Sequence, residues 1–281
     1  MVKEFGFDGF RMDAVKHIDY NFTRGFLDAV REVAGKEFYA VSEYWSNDLG
    51  AMTSFIDATD GSTDLFDVPL HFNFHAASEQ GADFDMRTLF DGSLTGHDSR
   101  LAVTFVDNHD SQPGSSLSSA VQDWFKPLAY ALILLMREGY PAVFYGDYYS
   151  IAHDASEHEE SGDTEVQSGK VREGSSHRLI LDILLDARKR YAYGDQTLLF
   201  DHPSVVGLVR HGDTELPDSG LVMLMINDAD GTKEVTLGEG HAGEKWRDMT
   251  GSITDVVTLD EAGHATFHVK GRNIAVWVKD A

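Results

Sequence analysis

The 281-residue chain carries 47 acidic against 23 basic residues, a formal charge of −24, and no cysteine. That balance repels nucleic acid and anionic membrane surfaces, favours neutral or cationic ligands, and leaves no disulfide, thiolate metal site or thiol nucleophile. With 42% hydrophobic residues it can bury a large core,, while its longest apolar run, Leu128–Met136, falls short of the roughly 18 residues that span a bilayer,.

The expected class is a soluble protein, secreted or cytoplasmic, whose acidity serves solubility or adaptation to high salt. No basic and apolar leader precedes the first strand pattern, and the compartment stays unassigned,.

In chain order, short apolar runs alternate with helical patterns. GFDGFRM is followed by a helix over Phe22–Val33, EFYAVS by Leu49–Ala58, and DLFDV by helical stretches at Leu70–Ser78 and Phe84–Phe90. LAVTFV then precedes Asp123–Arg137, and PAVFY precedes His177–Tyr191. Strand followed by helix, five times over, predicts an α/β fold with a parallel sheet and right-handed crossovers. The stretch His153–Ser176, acidic and rich in Ser and Gly, reads as a solvated loop on the active-site side; its His and Glu residues are not taken as a metal site,.

From Thr197 onward the helical period stops. SVVGLVRH, GLVMLMIND, KEVTLG, EKWRDMTG, ATFHVKG and NIAVWVK, separated by Gly, Asp and Asn turns, predict an antiparallel sandwich or barrel,. The domain boundary is placed near Tyr193-Gly194, giving units 1–193 and 194–281.

Three acids end or follow apolar runs: Asp13 after GFDGFRM, Glu43 after FYAVS, and Asp110 after LAVTFVDNH. A parallel strand delivers its last residue to an active-site rim, so a single such acid is most simply a cap or ion-pair partner, but three in order suggest glycoside cleavage. Asp13 and Glu43 lie thirty residues apart, one βα repeat, so neighbouring strands would present them side by side,. Arg11, two residues before Asp13, shares its strand face and favours the ionised carboxylate that a nucleophile needs. Glu43 is followed by Tyr44 and Trp45, whose rings would favour its protonated form, as a general acid needs. His109 could donate to a sugar hydroxyl, and Asp110 could hold a distorted ring.

GFDGFRMDAVKH, VSEYW and FVDNHD resemble three signature segments of the α-amylase family of glycoside hydrolases, whose members fold as a TIM barrel followed by a β-sandwich domain. NDLGAM, LFDVPLHFNFHAAS, DWFKPLAYALIL, REGYPAVFYGDYY and ARKRYAYG look like the bacterial liquefying α-amylases in particular. The resemblance implies that Asp13 is the nucleophile, Glu43 the general acid/base and Asp110 the third, transition-state-stabilising acid. It implies sugar contacts for Arg11 and His109, and places Lys16 and His17 on the leaving-group side with Trp45 as a stacking platform. The main-chain carbonyl of His17 matches a ligand of the family's structural calcium, so calcium is an expected cofactor. Lys16, His17 and Trp45 are equally readable as ordinary polar residues at a helix head and a half-buried anchor.

The family pattern also has three further barrel strands, an inserted calcium-binding domain and a segment Asp-x-Val-x-Asn-His before the strand of Asp13. Here the pattern begins at that strand, so the fold expected is a partial (β/α)8 TIM barrel of the last five βα units followed by the antiparallel domain. Five strands cannot close, and their two open edges make a homodimer paired through them the preferred expectation. The function expected is retaining endo-hydrolysis of α-1,4-glucosidic bonds in an α-glucan such as starch. The alternatives are a non-catalytic starch-binding or assembly piece, and an α-glucan transglycosylase, because outcome depends on subsites beyond the acids.

Overall fold

A computed structural model describes residues 2–150 and 176–280. The loop expected at 153–176 therefore lies, except for Ser176, outside the described residues. A short helix α1 (Val2–Phe5) precedes five parallel strands, β1 (Gly9–Met12), β2 (Tyr39–Ser42), β3 (Asp64–Phe66), β4 (Ala102–Phe105) and β5 (Tyr140–Ala142). They pair in chain order, β1-β2-β3-β4-β5, as successive right-handed βα units do,. The sheet curls into a half-barrel whose outer strands, β1 and β5, have no second strand partner among the described residues.

The helices start where the sequence supplies caps. Asp19 accepts the amides of Asn21 and Phe22 to open α2 (Tyr20–Ala34), and Asp48 accepts Ala51 N to open α3 (Leu49–Ala58),. Asp67 accepts Leu70 N at the head of α4 (Val68–Gln80), where Pro69 occupies the first turn and has no N–H that would need an acceptor,. The helix expected over Phe84–Phe90 does not form; single 3-10 turns at Gly81–Asp83 and Met86–Thr88 stand there. Thr88 N donates to Asp85 O and Leu89 N to Met86 O, three residues back rather than four, so the α-helical ladder is not built; Asp85 also accepts Arg87 N on its carboxylate,. The helical elements continue with α5 (Leu94–Asp98), α6 (Lys126–Leu135), α7 (Tyr145–Tyr149) and α8 (Arg178–Arg190).

Beyond α8 the chain is antiparallel. β6 (Gln196–Leu199), β7 (Val205–Arg210), β8 (Leu221–Ile226), β10 (Lys245–Asp248), β11 (Val257–Thr258) and β13 (Ile274–Lys279) form a six-stranded sheet in the order β11-β10-β13-β8-β7-β6. β9 (Gly231–Thr236) and β12 (His264–Val269) make a separate ribbon.

The central strands read as unbroken apolar runs because both faces of the sheet are covered. Val206, Leu208, Met223, Met225, Val276 and Val278 join the core around α6 and α8, whereas Val205, Val209, Val222, Leu224, Ala275 and Trp277 pack with Phe267 and Val269 of the ribbon. The alternation of period two is intact and simply has an apolar partner on each side. Gly207 lets β7 and β8 approach, since a Cβ there would stand 2.1 Å from Met223 O,.

Candidate active site

Asp13 directly follows β1, Glu43 directly follows β2, and Asp110 sits in the turn after β4, so all three lie at the carboxyl-terminal edge of one parallel sheet. That edge is where βα loops build active sites. Parallel pairing continues past the strand ends, with Glu43 N donating to Met12 O (2.8 Å) and Val15 N to Glu43 O (3.0 Å). The backbones bearing the first two acids are thereby held in register.

One guanidinium group bridges both acids. Arg11 Nη1 donates to Asp13 Oδ1, and Nη2 lies 3.1 Å from Glu43 Oε1. The second contact is an ion pair off the hydrogen-bonding direction, so Glu43 Oε1 has no hydrogen-bond partner, while Oε2 accepts Ala14 N at 3.0 Å. Ala14 holds φ 48°, left-handed backbone that costs an L-residue about 1–2 kcal/mol,. That turn points its amide at Glu43. The two acids differ sharply in solvation, with side chains 71% exposed for Asp13 and 7% for Glu43.

Lys16 Nζ donates to Trp45 O (3.0 Å), bringing those two together beside the pair, and His17, exposed, ends the 3-10 turn Val15–His17, whose Val15 is buried. Trp45 is half-buried; its ring lies tilted against His71 and Phe105 and edge-on to Phe72. Tyr44 packs on Phe55. The buried Glu43 carboxylate faces the Arg11 guanidinium and the Ala14 amide.

His109 Nε2 lies 3.3 Å from Asp110 Oδ2. Their turn is an Asx turn: Asn108 Oδ1 accepts Asp110 N (2.9 Å) and Ser111 N (2.8 Å),.

Three buried polar groups near this edge escaped the sequence reading. Asp67, the acid after β3, is a cap, fully buried and accepting Leu70 N, Leu94 N, Thr95 N and Thr95 Oγ1. Lys126, at the head of α6, is buried between Asp107 (3.0 Å) and Asp147 (2.5 Å), and Tyr130 OH donates to Asp147 at 2.6 Å. His71 is fully buried on α4, its Nδ1 donating to Val106 O (2.6 Å) and its Nε2 accepting from Ser119 Oγ (2.9 Å). A Lys at a helix head or a His within an apolar helix carries no sequence signal of burial.

Burial pushes the His71 imidazole down to about 4, so it stays neutral,. The unfolded chain takes up the proton first, so stability is lost as pH falls from about 6.5 toward 4, by about 3 kcal/mol at roughly 1.4 kcal/mol per pH unit. Burial pushes the Asp107 carboxyl up to about 6, and that acts in the opposite sense over the same window,. Urea unfolding of wild type and His71→Gln should isolate the first effect: the wild-type advantage at pH 7 is expected to shrink by about 2 kcal/mol at pH 4.5. A constant difference would contradict it.

Among the described residues no group of three or more His, Asp or Glu side chains is placed to hold a metal ion. A calcium ion takes six to eight oxygens by the general rule, of which the His17 carbonyl would be one, and no step below uses the ion. No helix among the described residues is long and apolar enough to cross a membrane.

No protein-family model matches the chain. It is 44% identical over 274 residues to a glucan 1,4-alpha-maltohexaosidase of Bacillus sp. (strain 707), covering 97% of this chain and 49% of that protein. It is 45% identical over 276 residues to an alpha-amylase of Bacillus licheniformis, covering 98% of this chain and 51% of the relative. The chain spans about half the length of the curated relatives it matches. Among solved structures, the alpha-amylase from Geobacillus thermoleovorans complexed with acarbose superposes with a TM-score of 0.65 at 21% identity, covering 100% of this chain and 61% of that one. That likeness agrees with a partial TIM barrel carrying a β-rich domain.

Proposed function

We propose that this chain, a relative of the bacterial α-amylases over about half of their length, carries the acid pair of a retaining endo-acting α-1,4-glucan hydrolase. In this reading Asp13 attacks the anomeric carbon as Glu43 gives its proton to the leaving oxygen, and a glycosyl ester forms on Asp13. Glu43 then takes a proton from water, which opens the ester at the same carbon and restores the original anomer. The single observation that carries this reading is the Arg11 bridge, which holds one wet and one dry carboxylate within reach of a single planar group. Both carboxylates face the guanidinium and solvation is what separates them: the solvated one suits a nucleophile, and the dry one, with an oxygen free of hydrogen bonds, suits an acid,.

Asp110, supported by its Asx turn, is read as the third acid, and His109 and Arg11 as groups that hold the sugar at the cleavage point. Lys16, His17 and Trp45 line the leaving-group side. The substrate follows from the relatives: a starch-like α-glucan. The five strands are read as the last five of eight βα units, with 1–193 as the catalytic part and 194–281 as the antiparallel domain. Glucan hydrolysis by the chain and by its Glu43→Gln variant tests the reading, with the outcomes set out in the Discussion.

The exposure of Asp13 favours a second reading, since a nucleophile open to bulk water on a half-barrel lacks the enclosure that strengthens electrostatic catalysis,. In it the chain binds α-glucan with little or no turnover. Binding of maltooligosaccharide without reducing-end release would favour this over the first.

Two copies pairing through the edges of β1 and β5 would cover Phe7 and Phe22, which are 48% and 62% exposed near the β1 edge,. Sedimentation velocity over a hundredfold concentration range should then show a dimer that dissociates on dilution. A monomer throughout would remove the pairing.

A further inference from the structure

We propose that the buried cluster of Lys126, Asp107 and Asp147 is the positioning element for the turn that presents His109 and Asp110. The proposal rests on the reading of Asp110 as a catalytic acid.

Three charged side chains in the core are a poor way to gain stability. Desolvation offsets most of the attraction, and apolar replacements of such clusters are often as stable. What the cluster supplies is geometry. Asp107 Oδ2 faces Lys126 Nζ at 3.0 Å, while Oδ1 accepts the Ser111 hydroxyl at 2.9 Å. Ser111 Oγ in turn accepts Asn108 N (3.0 Å), and Asn108 Oδ1 accepts Asp110 N (2.9 Å). An unbroken line of polar contacts therefore runs from Lys126 to the backbone of Asp110.

The same carboxylate also receives Val121 N at 3.3 Å, tying the far end of the segment that starts at Asp107 back to its beginning. Lys126 is itself fixed by Asp147 Oδ1 at 2.5 Å, and Asp147 is anchored by Tyr130 OH at 2.6 Å. Asp147 belongs to α7, beyond β5, and Tyr130 to α6. The turn after β4 is thus set against two neighbouring elements by groups that are all buried, with relative exposures of 3% for Asp107, 9% for Lys126, 4% for Asp147 and 0% for Ser111 and Tyr130. Around the cluster stand Asp123, 4.0 Å from Lys126, and His71, 3.9 Å from Asp107.

The test is a double-mutant cycle on the rate of maltoheptaose cleavage, with Ser111→Ala and Asp110→Asn singly and together. Ser111→Ala cuts the line without unpairing a buried charge. It is expected to lower kcat roughly tenfold with KM held within about twofold, because misplacement by a fraction of an ångström weakens the transition state more than binding. In the Asp110→Asn background the same change should cost less than about twofold, since the group it positions has been disabled. Lys126→Met should follow the same pattern with a larger loss, roughly a hundredfold; if it fails to fold, the Ser111→Ala cycle still decides.

Equal losses from Ser111→Ala in both backgrounds, or a fall in melting temperature with kcat unchanged, would overturn the proposal and leave the reading of Asp110 intact. An unaltered rate in Asp110→Asn alone, or no cleavage by the unsubstituted chain, would instead defeat the reading of the site and this inference with it.

Discussion

Replacing Glu43 by Gln is expected to slow hydrolysis of soluble starch by roughly 10³-fold, within the range that a positioned general acid supplies. The amide is close to the carboxyl in shape and keeps an acceptor for Ala14 N, which donates to Oε2 at 3.0 Å. It cannot give a proton to the leaving oxygen. An aryl maltoside whose phenol departs as a stable anion needs no such proton, so formation of the glycosyl ester should lose much less on that substrate. Unequal losses on the two substrates would mark Glu43 as an acid rather than a structural residue. Equal product from both proteins on starch would remove the hydrolase reading.

Asp67→Ala should have the largest effect on stability. Its carboxylate takes the amide of Leu70 in α4 and those of Leu94 and Thr95 in α5, together with the Thr95 hydroxyl. Two helix N-termini converge on one fully buried anion, so both their orphan amides and their dipoles are satisfied by a single side chain,. Truncation leaves several buried donors without partners, at about 4 kcal/mol in total and a fall of about 10 °C in melting temperature. Asp67→Asn, which keeps one acceptor oxygen, should lose about half as much. A shift under about 2 °C for Asp67→Ala would show that water or a rearranged chain replaces the cap.

The elements were legible where local chemistry and packing agree. Leu49–Ala58 was readable to the residue because Asp48 caps it and its apolar positions Met52, Phe55 and Ile56 are the ones buried. Strands β4, β7 and β8 were readable because a strand buried along its whole length is an unbroken apolar run,. Phe84–Phe90 misled because its apolar spacing is helical while its amides close tighter turns, Thr88 N on Asp85 O and Leu89 N on Met86 O, and Met86 N is held by Pro203 O far along the chain,. The short α7 at Tyr145–Tyr149 has no sequence signal, since five residues hold too little periodicity,.

At the site, the pairing of Arg11 with Asp13 was predictable from their i,i+2 spacing, and that of Arg11 with Glu43 from the βα repeat. The acid after β3 shows the limit of such reasoning: Asp67 occupies the same kind of position as Asp13 and Glu43, yet it is spent on backbone amides. What separates a cap from a reacting acid is which donors fold back on it. That depends on contacts such as Leu94 to Asp67 that no local pattern contains. The ion cluster around Lys126 was illegible for the same reason, because its partners come from the turn after β4 and the rim after β5.

The most direct test is to trap the glycosyl ester with an activated fluorinated maltosyl fluoride and to map the added mass by peptide mass spectrometry after trypsin digestion. Cleavage after Arg11 and Lys16 releases Met12–Lys16, a peptide whose only carboxylate side chain is that of Asp13. One fluoromaltosyl group on that peptide, absent from Asp13→Asn, is the predicted result; an unlabelled protein, or a label on any other peptide, would contradict the assignment of Asp13 and the retaining mechanism built on it.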